Sequence, residues 1–221
     1  MSSSTITRAQ FQLACKAFAN QHRHDPSDLK YAGLSGWLWS EHPTYPALGY
    51  LSRRVLVYLR AASSPAEEDD LVDNELDADD LASVSLNSEA YVCVQSVAFS
   101  PTFQVPVFYF TIHSPQGAPL SLVEVMRTDM LYQDRLPETD VTSFGLKAPE
   151  SPFPLLSQGD HPGLGTPSWY IHPCGIPGAM EEITSAIASE GGFGQQTEGE
   201  QLVRWLEAWF MVLGTVVDLR T

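Results

Sequence analysis

Apolar side chains recur at Phe11, Ala14, Cys15 and Phe18, the three-and-four spacing that lines one face of a helix. Thr7 and Gln10 stand three apart at its start, the pattern of a reciprocal N-terminal cap. The spacing predicts a helix from Thr7 to about Arg23, with Cys15 on its core face. The period then falls to two. Gly33 to Glu41 holds Trp37 and Trp39 in alternation, and Tyr50 to Leu59 is rich in Val, Leu and Tyr, so both read as strands. Ala90 to Phe99 and Val105 to His113 read as two more, with Cys93 packed between Val92 and Val94. The linker Ser100-Pro101-Thr102-Phe103-Gln104 makes them a hairpin. After the turn Pro115 to Pro119, Ser121 and Glu124 form a second cap, and Leu120 with Val125 a hydrophobic staple. That helix is expected to run to about Tyr132. Pro149 to Gly178 holds seven of the sixteen prolines and five glycines, so order there is expected from turns rather than ladders. Gly191-Gly192-Phe193-Gly194 reads as a flexible break. Thr197 and Glu200 then cap a stripe of Leu202, Leu206, Trp209 or Phe210, and Leu213, which ends at Gly214. Helix, strand meander, proline-rich crossover and closing helix predict one α+β domain over residues 1–221 with an antiparallel sheet.

Charge changes this picture in one place. The chain carries a net charge of −15, and ten of its 27 acids fall between Glu67 and Glu89. No Lys or Arg occurs between Arg60 and Arg127. Residues 63–88 also lose their aromatics, so they read as an acidic, disordered insertion into the domain. The balance opposes binding to nucleic acid or an anionic membrane, because both need basic patches. No apolar run approaches the roughly 18 residues of a spanning helix, and the Met1-Ser2-Ser3-Ser4 start does not read as a secretory signal. Three cysteines, at 15, 93 and 174, are too few and too odd for a disulfide framework and fit a reducing, cytoplasmic setting.

The candidate chemistry lies in Ser168-Trp169-Tyr170-Ile171-His172-Pro173-Cys174-Gly175. An aromatic, strand-like run stops at a proline and delivers Cys174 into a turn. A displayed thiol can act as a nucleophile, although an unperturbed thiol supplies only a few per cent thiolate at neutral pH. A small apolar residue in a turn is the plainer reading. A hydrolase would need an imidazole within hydrogen-bond reach, with His113 and His161 as candidates. His161, His172 and Cys174 match no metal pattern, so neither a metal nor a cofactor is expected. Asp77, Asp79 and Asp80 lack the glycine and closing glutamate of a calcium loop. Gly191 to Gly194 lacks the Lys and Ser/Thr of a phosphate loop.

The stretch His161-Pro162-Gly163-Leu164-Gly165-Thr166-Pro167-Ser168-Trp169-Tyr170-Ile171-His172-Pro173-Cys174 resembles the active-site segment of the autophagy E2-like conjugating enzymes. The closer branch is the autophagy-related protein ten family, which has a His-Pro, a Leu-Gly-x-Pro and a His-Pro-Cys at this spacing. Phe103-Gln104-Val105-Pro106-Val107-Phe108-Tyr109-Phe110 looks like a strand of that family. Gly117 to Leu122, Trp37-Leu38-Trp39 and Trp205 to Leu219 are also similar to it. The resemblance implies a modified E2 fold, a curved antiparallel sheet flanked by N-terminal and C-terminal helices. It implies that Cys174 accepts a ubiquitin-like modifier, autophagy protein twelve, as a thioester. The donor would be the E1-like protein seven, and the acceptor a lysine of protein five. The implied setting is the cytoplasm, with recruitment to autophagosome-forming membranes through partners. A related branch hands its modifier to a lipid amine instead, and a cysteine hydrolase acting on such conjugates is the enzymatic alternative. Ordinary ubiquitin E2s carry a His-Pro-Asn upstream of the cysteine, and that asparagine supports the oxyanion. This chain has no Asn after Asn87, and neither Tyr58 nor Tyr109 can be placed by spacing. The resemblance makes His172 a shoulder of the turn rather than a general base. The hairpin of Ala90–Phe99 and Val105–His113 is expected to offer an augmentable edge for the acceptor.

Overall fold

The computed structural model describes residues 3–22, 33–60, 89–132, 140–142, 145–147, 154–189 and 197–220. The acidic stretch 63–88, Arg23 and Gly191 to Gly194 lie outside the described residues. Helix α1 (Arg8–Gln21) opens the fold. Strands β1 (Leu38–Ser40), β2 (Tyr50–Tyr58), β3 (Ala90–Ser100) and β4 (Val105–His113) follow. Next come the short helix α2 (Leu122–Arg127) and strands β5 (Asp140–Thr142), β6 (Gly145–Lys147), β7 (Pro154–Asp160) and β8 (Pro167–Ile171). Helices α3 (Ile176–Ser189) and α4 (Glu198–Leu213) close it.

All three capping boxes form. Thr7, Ser121 and Thr197 each accept the amide three residues on, and Gln10, Glu124 and Glu200 reach back to the capping residue's own amide. The strands make one eight-stranded sheet in the order β1-β2-β3-β4-β8-β7-β6-β5. Each adjacent pair is antiparallel. This is an α+β fold consistent with an E2-like domain. The core face of the sheet carries Leu51 and Val57 of β2, Cys93 and Val97 of β3, Phe108, Phe110 and Ile112 of β4, and Trp169 of β8. Helices α1 and α4 supply Phe11, Phe18, Trp205, Trp209 and Phe210 to the same core. Phe18 stacks on Phe210 with centroids 5.0 Å apart, and Trp37 tilts against Phe210 at 5.3 Å. Burying such aromatics supplies most of the favourable free energy of folding.

One core position of β2 is a cation. Arg53 is 6% exposed, and its guanidinium lies over the Trp37 ring at 4.6 Å. It donates from Nε to Gln95 Oε1 at 2.7 Å and from Nη2 to the Leu219 carbonyl at 2.8 Å. Nη1 reaches the Gly33 and Ser35 carbonyls at 3.2 and 3.3 Å. One side chain therefore ties the sheet to the segment before β1 and to the C-terminal tail.

Three expectations from the sequence are corrected, and one helix is added to them. Helix α2 stops at Arg127 instead of reaching Tyr132, because Thr128 turns extended at ψ 161° and bridges to Leu59. The Asp129 amide then donates to the Tyr58 carbonyl at 2.9 Å, and the Tyr132 amide to Val216 at 3.0 Å. Tertiary pairing thus outcompetes local helix propagation. The proline-rich stretch does form a ladder, with β7 and β8 paired from Leu156–Ile171 to Asp160–Pro167. Pro154 and Pro167 each occupy the first position of a strand, where a missing N–H is tolerated. Helix α3 was not anticipated, because Gly175, Pro177 and Gly178 crowd its start. Proline in the first helical turn loses no intrahelical bond. Finally, the β3–β4 hairpin is interior to the sheet. Its β4 side meets β8 at Tyr109–Tyr170 and Phe110–Trp169, and the Leu120 amide covers the Ile112 carbonyl at 2.9 Å. The terminal strands of the sheet order are β1 and β5, so the hairpin is no augmentable edge.

Candidate active site

Strand β8 alternates its side chains, with Trp169 and Ile171 buried and Tyr170 half-buried on the other face. The next residue, His172, stays extended at φ −69° and ψ 127°, the conformation that a following proline favours. Its amide donates to the Leu155 carbonyl of β7 at 2.9 Å, which extends the ladder by one residue. Pro173 then starts a single 3-10 turn over Pro173–Gly175, closed by the Ile176 amide on the Pro173 carbonyl, and Ile176 opens α3. Cys174 lies within this turn and is exposed. Its amide donates to His172 Nδ1 at 3.2 Å. The cysteine therefore sits in the turn that hands β8 over to α3.

The other two thiols are sequestered. Cys15 of α1 and Cys93 of β3 are each 0% exposed. Burial pushes the Cys15 thiol well above its ordinary value. Burial likewise pushes Cys93 up to about 12, and its sulfur lies 3.6 Å from Met130 Sδ.

A ring cluster adjoins the turn. Phe103, from the β3–β4 linker, meets His172 edge-on at 5.6 Å, and Tyr170 lies 6.2 Å from the same ring. Tyr170 pairs across strands with Tyr109, ring centroids 5.5 Å apart. Burial, and then Tyr170 beside it, pushes the Tyr109 phenol up to about 12. His161 follows β7, 1% exposed, with Tyr109 at 5.1 Å and Tyr50 of β2 at 4.8 Å. Its Nδ1 accepts the Gly163 and Leu164 amides, both at 3.1 Å, and so shapes the turn before β8. Burial drives the His161 pKa down to about 4.

Comparison with known proteins decides the family. Residues 10–221 match the family model described as autophagocytosis associated protein, active-site domain. The chain belongs to this family. A ubiquitin-like-conjugating enzyme ATG10 from Arabidopsis thaliana is 26% identical over 235 residues, covering 100% of this chain and 94% of the relative. The proteins of the same name from Dictyostelium discoideum and Homo sapiens are 25% identical over 127 residues and 24% identical over 144. Those matches cover 56% and 65% of this chain, and 49% and 56% of the relatives. Within the family the chain is of the ATG10 type, an E2-like transferase of autophagy.

In this ATG10-type chain the residues singled out from sequence fall into two groups. Cys174 and His172 meet in one turn. Tyr109, left unplaced by spacing, pairs with Tyr170 on the sheet face opposite Phe108 and Phe110, whereas Tyr58 is exposed and pairs with Ala90 at the end of β2. His113 lies four residues beyond Tyr109 on β4, and the antiparallel pairing carries it toward the Pro167 end of β8, away from Cys174. His161 is boxed between two tyrosines. Neither histidine converges on the thiol as a hydrolase dyad requires. Among the described residues no group of three His, Cys, Asp or Glu side chains is placed to hold a metal ion, and no helix is long and apolar enough to cross a membrane. Sequence reasoning missed Phe103, Tyr170 and Tyr50 as neighbours of this region. The β4–β8 register, the β3–β4 linker and the fold of the His161 turn bring them together.

Proposed function

We propose that Cys174 accepts a ubiquitin-like modifier from an E1-like enzyme as a thioester and passes it to a lysine of an acceptor protein. The observation that carries this reading is selective display: of three free thiols, Cys174 alone is exposed. It stands where β8 hands over to α3, in a turn fixed by a proline and a capping histidine. Transthiolation exchanges one thioester for another of similar energy, so it needs a reachable thiol and no strong base. Aminolysis asks for more. A free lysine amine, with pKa about 10.4, is mostly protonated at neutral pH. The acceptor lysine must be held and stripped of water beside the thioester, and positioning of that kind supplies much of the rate. The modifier in this reading is autophagy protein twelve, the E1-like enzyme protein seven and the acceptor protein five. The setting is the cytoplasm, with recruitment to autophagosome-forming membranes through these partners, and three unpaired cysteines support it. The test combines the chain with the E1-like enzyme, the modifier and ATP, resolved on gels with and without reductant. A band that carries modifier and disappears on reduction is expected. Release of free modifier with no such band would favour a hydrolase and defeat the proposal.

A further inference from the structure

We propose that His172 is a positioning residue for Cys174, accepting the Cys174 amide on Nδ1, and that the chain loads its modifier with this ring neutral and protonated on Nε2. The inference rests on the reading of Cys174 as the loaded thiol. The position before a helical turn usually carries Ser, Thr, Asp or Asn, whose short side chains accept an amide of the first turn. Here an imidazole nitrogen does so at 3.2 Å, from a residue with the extended backbone of a cap. The residue is held through its backbone and on its ring. The His172 amide is anchored on Leu155 of β7, Phe103 meets the ring at an interplanar angle of 79°, and Tyr170 flanks it from β8.

This geometry fixes the chemistry of the ring. A neutral imidazole has one acceptor nitrogen and one N–H. With Nδ1 taking the Cys174 amide, the proton resides on Nε2. The nitrogen nearest the cysteine backbone is therefore already committed and is not the base that removes the thiol proton. Protonation places an N–H on Nδ1 against the amide N–H, so the cap is lost. The titratable side chains brought to the ring by these contacts are Tyr170 from β8 and Cys174 from the turn, while Phe103 and the Leu155 carbonyl are neutral. Burial lowers the His172 pKa from its ordinary value, which favours the neutral ring. The depressed pKa sets the sign. The cap is intact above the unfolded-state value and is lost as pH falls through the folded-state one.

The test uses the full chain with His172→Ala and His172→Asn, loaded by the E1-like enzyme between about pH 5 and 8 (the range where an ordinary histidine titrates), each rate normalised to E1 thioester. Imidazole nitrogens are read in parallel by two-bond proton–nitrogen NMR on the chain alone. At neutral pH the alanine variant should load about fivefold more slowly, the loss expected of a missing cap. The asparagine variant should recover that loss and abolish the acid limb that wild type shows. Nδ1 should resonate as an unprotonated acceptor. Alanine loading like wild type at every pH, or an asparagine variant with an unchanged acid limb, would overturn the proposal. A wild-type chain that never loads would overturn the thioester reading and the loading role together, whereas a proton found on Nδ1 would refute the cap alone.

Discussion

Arg53→Met removes a buried cation and leaves its four acceptors behind. Gln95 Oε1 and the Gly33, Ser35 and Leu219 carbonyls each lose a donor, at contacts of 2.7 to 3.3 Å. A buried acceptor left without a partner costs about 1–3 kcal/mol. Two of the four contacts, at 3.2 and 3.3 Å, are long and only partly buried, so they count at the low end. Against this, the guanidinium no longer has to be taken out of water, a relief of several kcal/mol per ion. Methionine also restores the aliphatic part of the packing against Trp37. The net expected loss is about 2–4 kcal/mol. For a chain of this size that corresponds to a Tm lower by roughly 5–15 °C. Urea unfolding followed by tryptophan fluorescence is the assay, with Trp37 as a local reporter because it lies under the guanidinium. A midpoint change worth less than about 1 kcal/mol at unchanged m-value would refute the claim that Arg53 ties the C-terminal tail and the pre-β1 segment to the sheet.

Two further outcomes follow from the burial pattern. Under native conditions iodoacetamide should alkylate one thiol, and Cys174→Ala should abolish that labelling, because Cys15 and Cys93 become reachable only on unfolding; peptide mapping by mass spectrometry checks this. Acid should destabilise the fold through His161, whose pKa falls to about 4 in the folded state. The unfolded chain binds that proton first as pH drops below about 6.5. Stability should therefore fall with a slope of up to about 1.4 kcal/mol per pH unit until the folded-state value is reached. His161→Gln should flatten the slope in urea titrations, and an unchanged slope would count against the buried neutral imidazole.

The features legible in the sequence were the local ones. A capping box is written in four consecutive residues, so Thr7, Ser121 and Thr197 announced their helices directly. The β3–β4 hairpin was equally plain, because two aromatic, β-branched runs flank a short linker. The exposure of Cys174 followed from Pro173 and Gly175 on either side of it. Features settled by distant partners were not legible. Residues 128–132 look like a continuing helix until Tyr58 and Val216 claim their backbone amides. Pro154 and Pro167 look like breakers until the register puts each at a strand's first position. The start of α3 is masked by Gly175, Pro177 and Gly178, and its buried side is sparse, with Ile176, Met180 and Thr184. The ring cluster beside Cys174 draws on β2, the β3–β4 linker, β4, β8 and the His161 turn, and no spacing rule links those five.

Loading of Cys174→Ser and Cys174→Ala beside wild type, with gels run with and without reductant, tests the central claim most directly. Serine should trap an oxyester that survives reductant and yields to mild alkali, because an alkoxide is a poorer leaving group than a thiolate. Alanine should carry no modifier at all. A reducible adduct on the alanine variant, formed through Cys15 or Cys93, would contradict the assignment of Cys174.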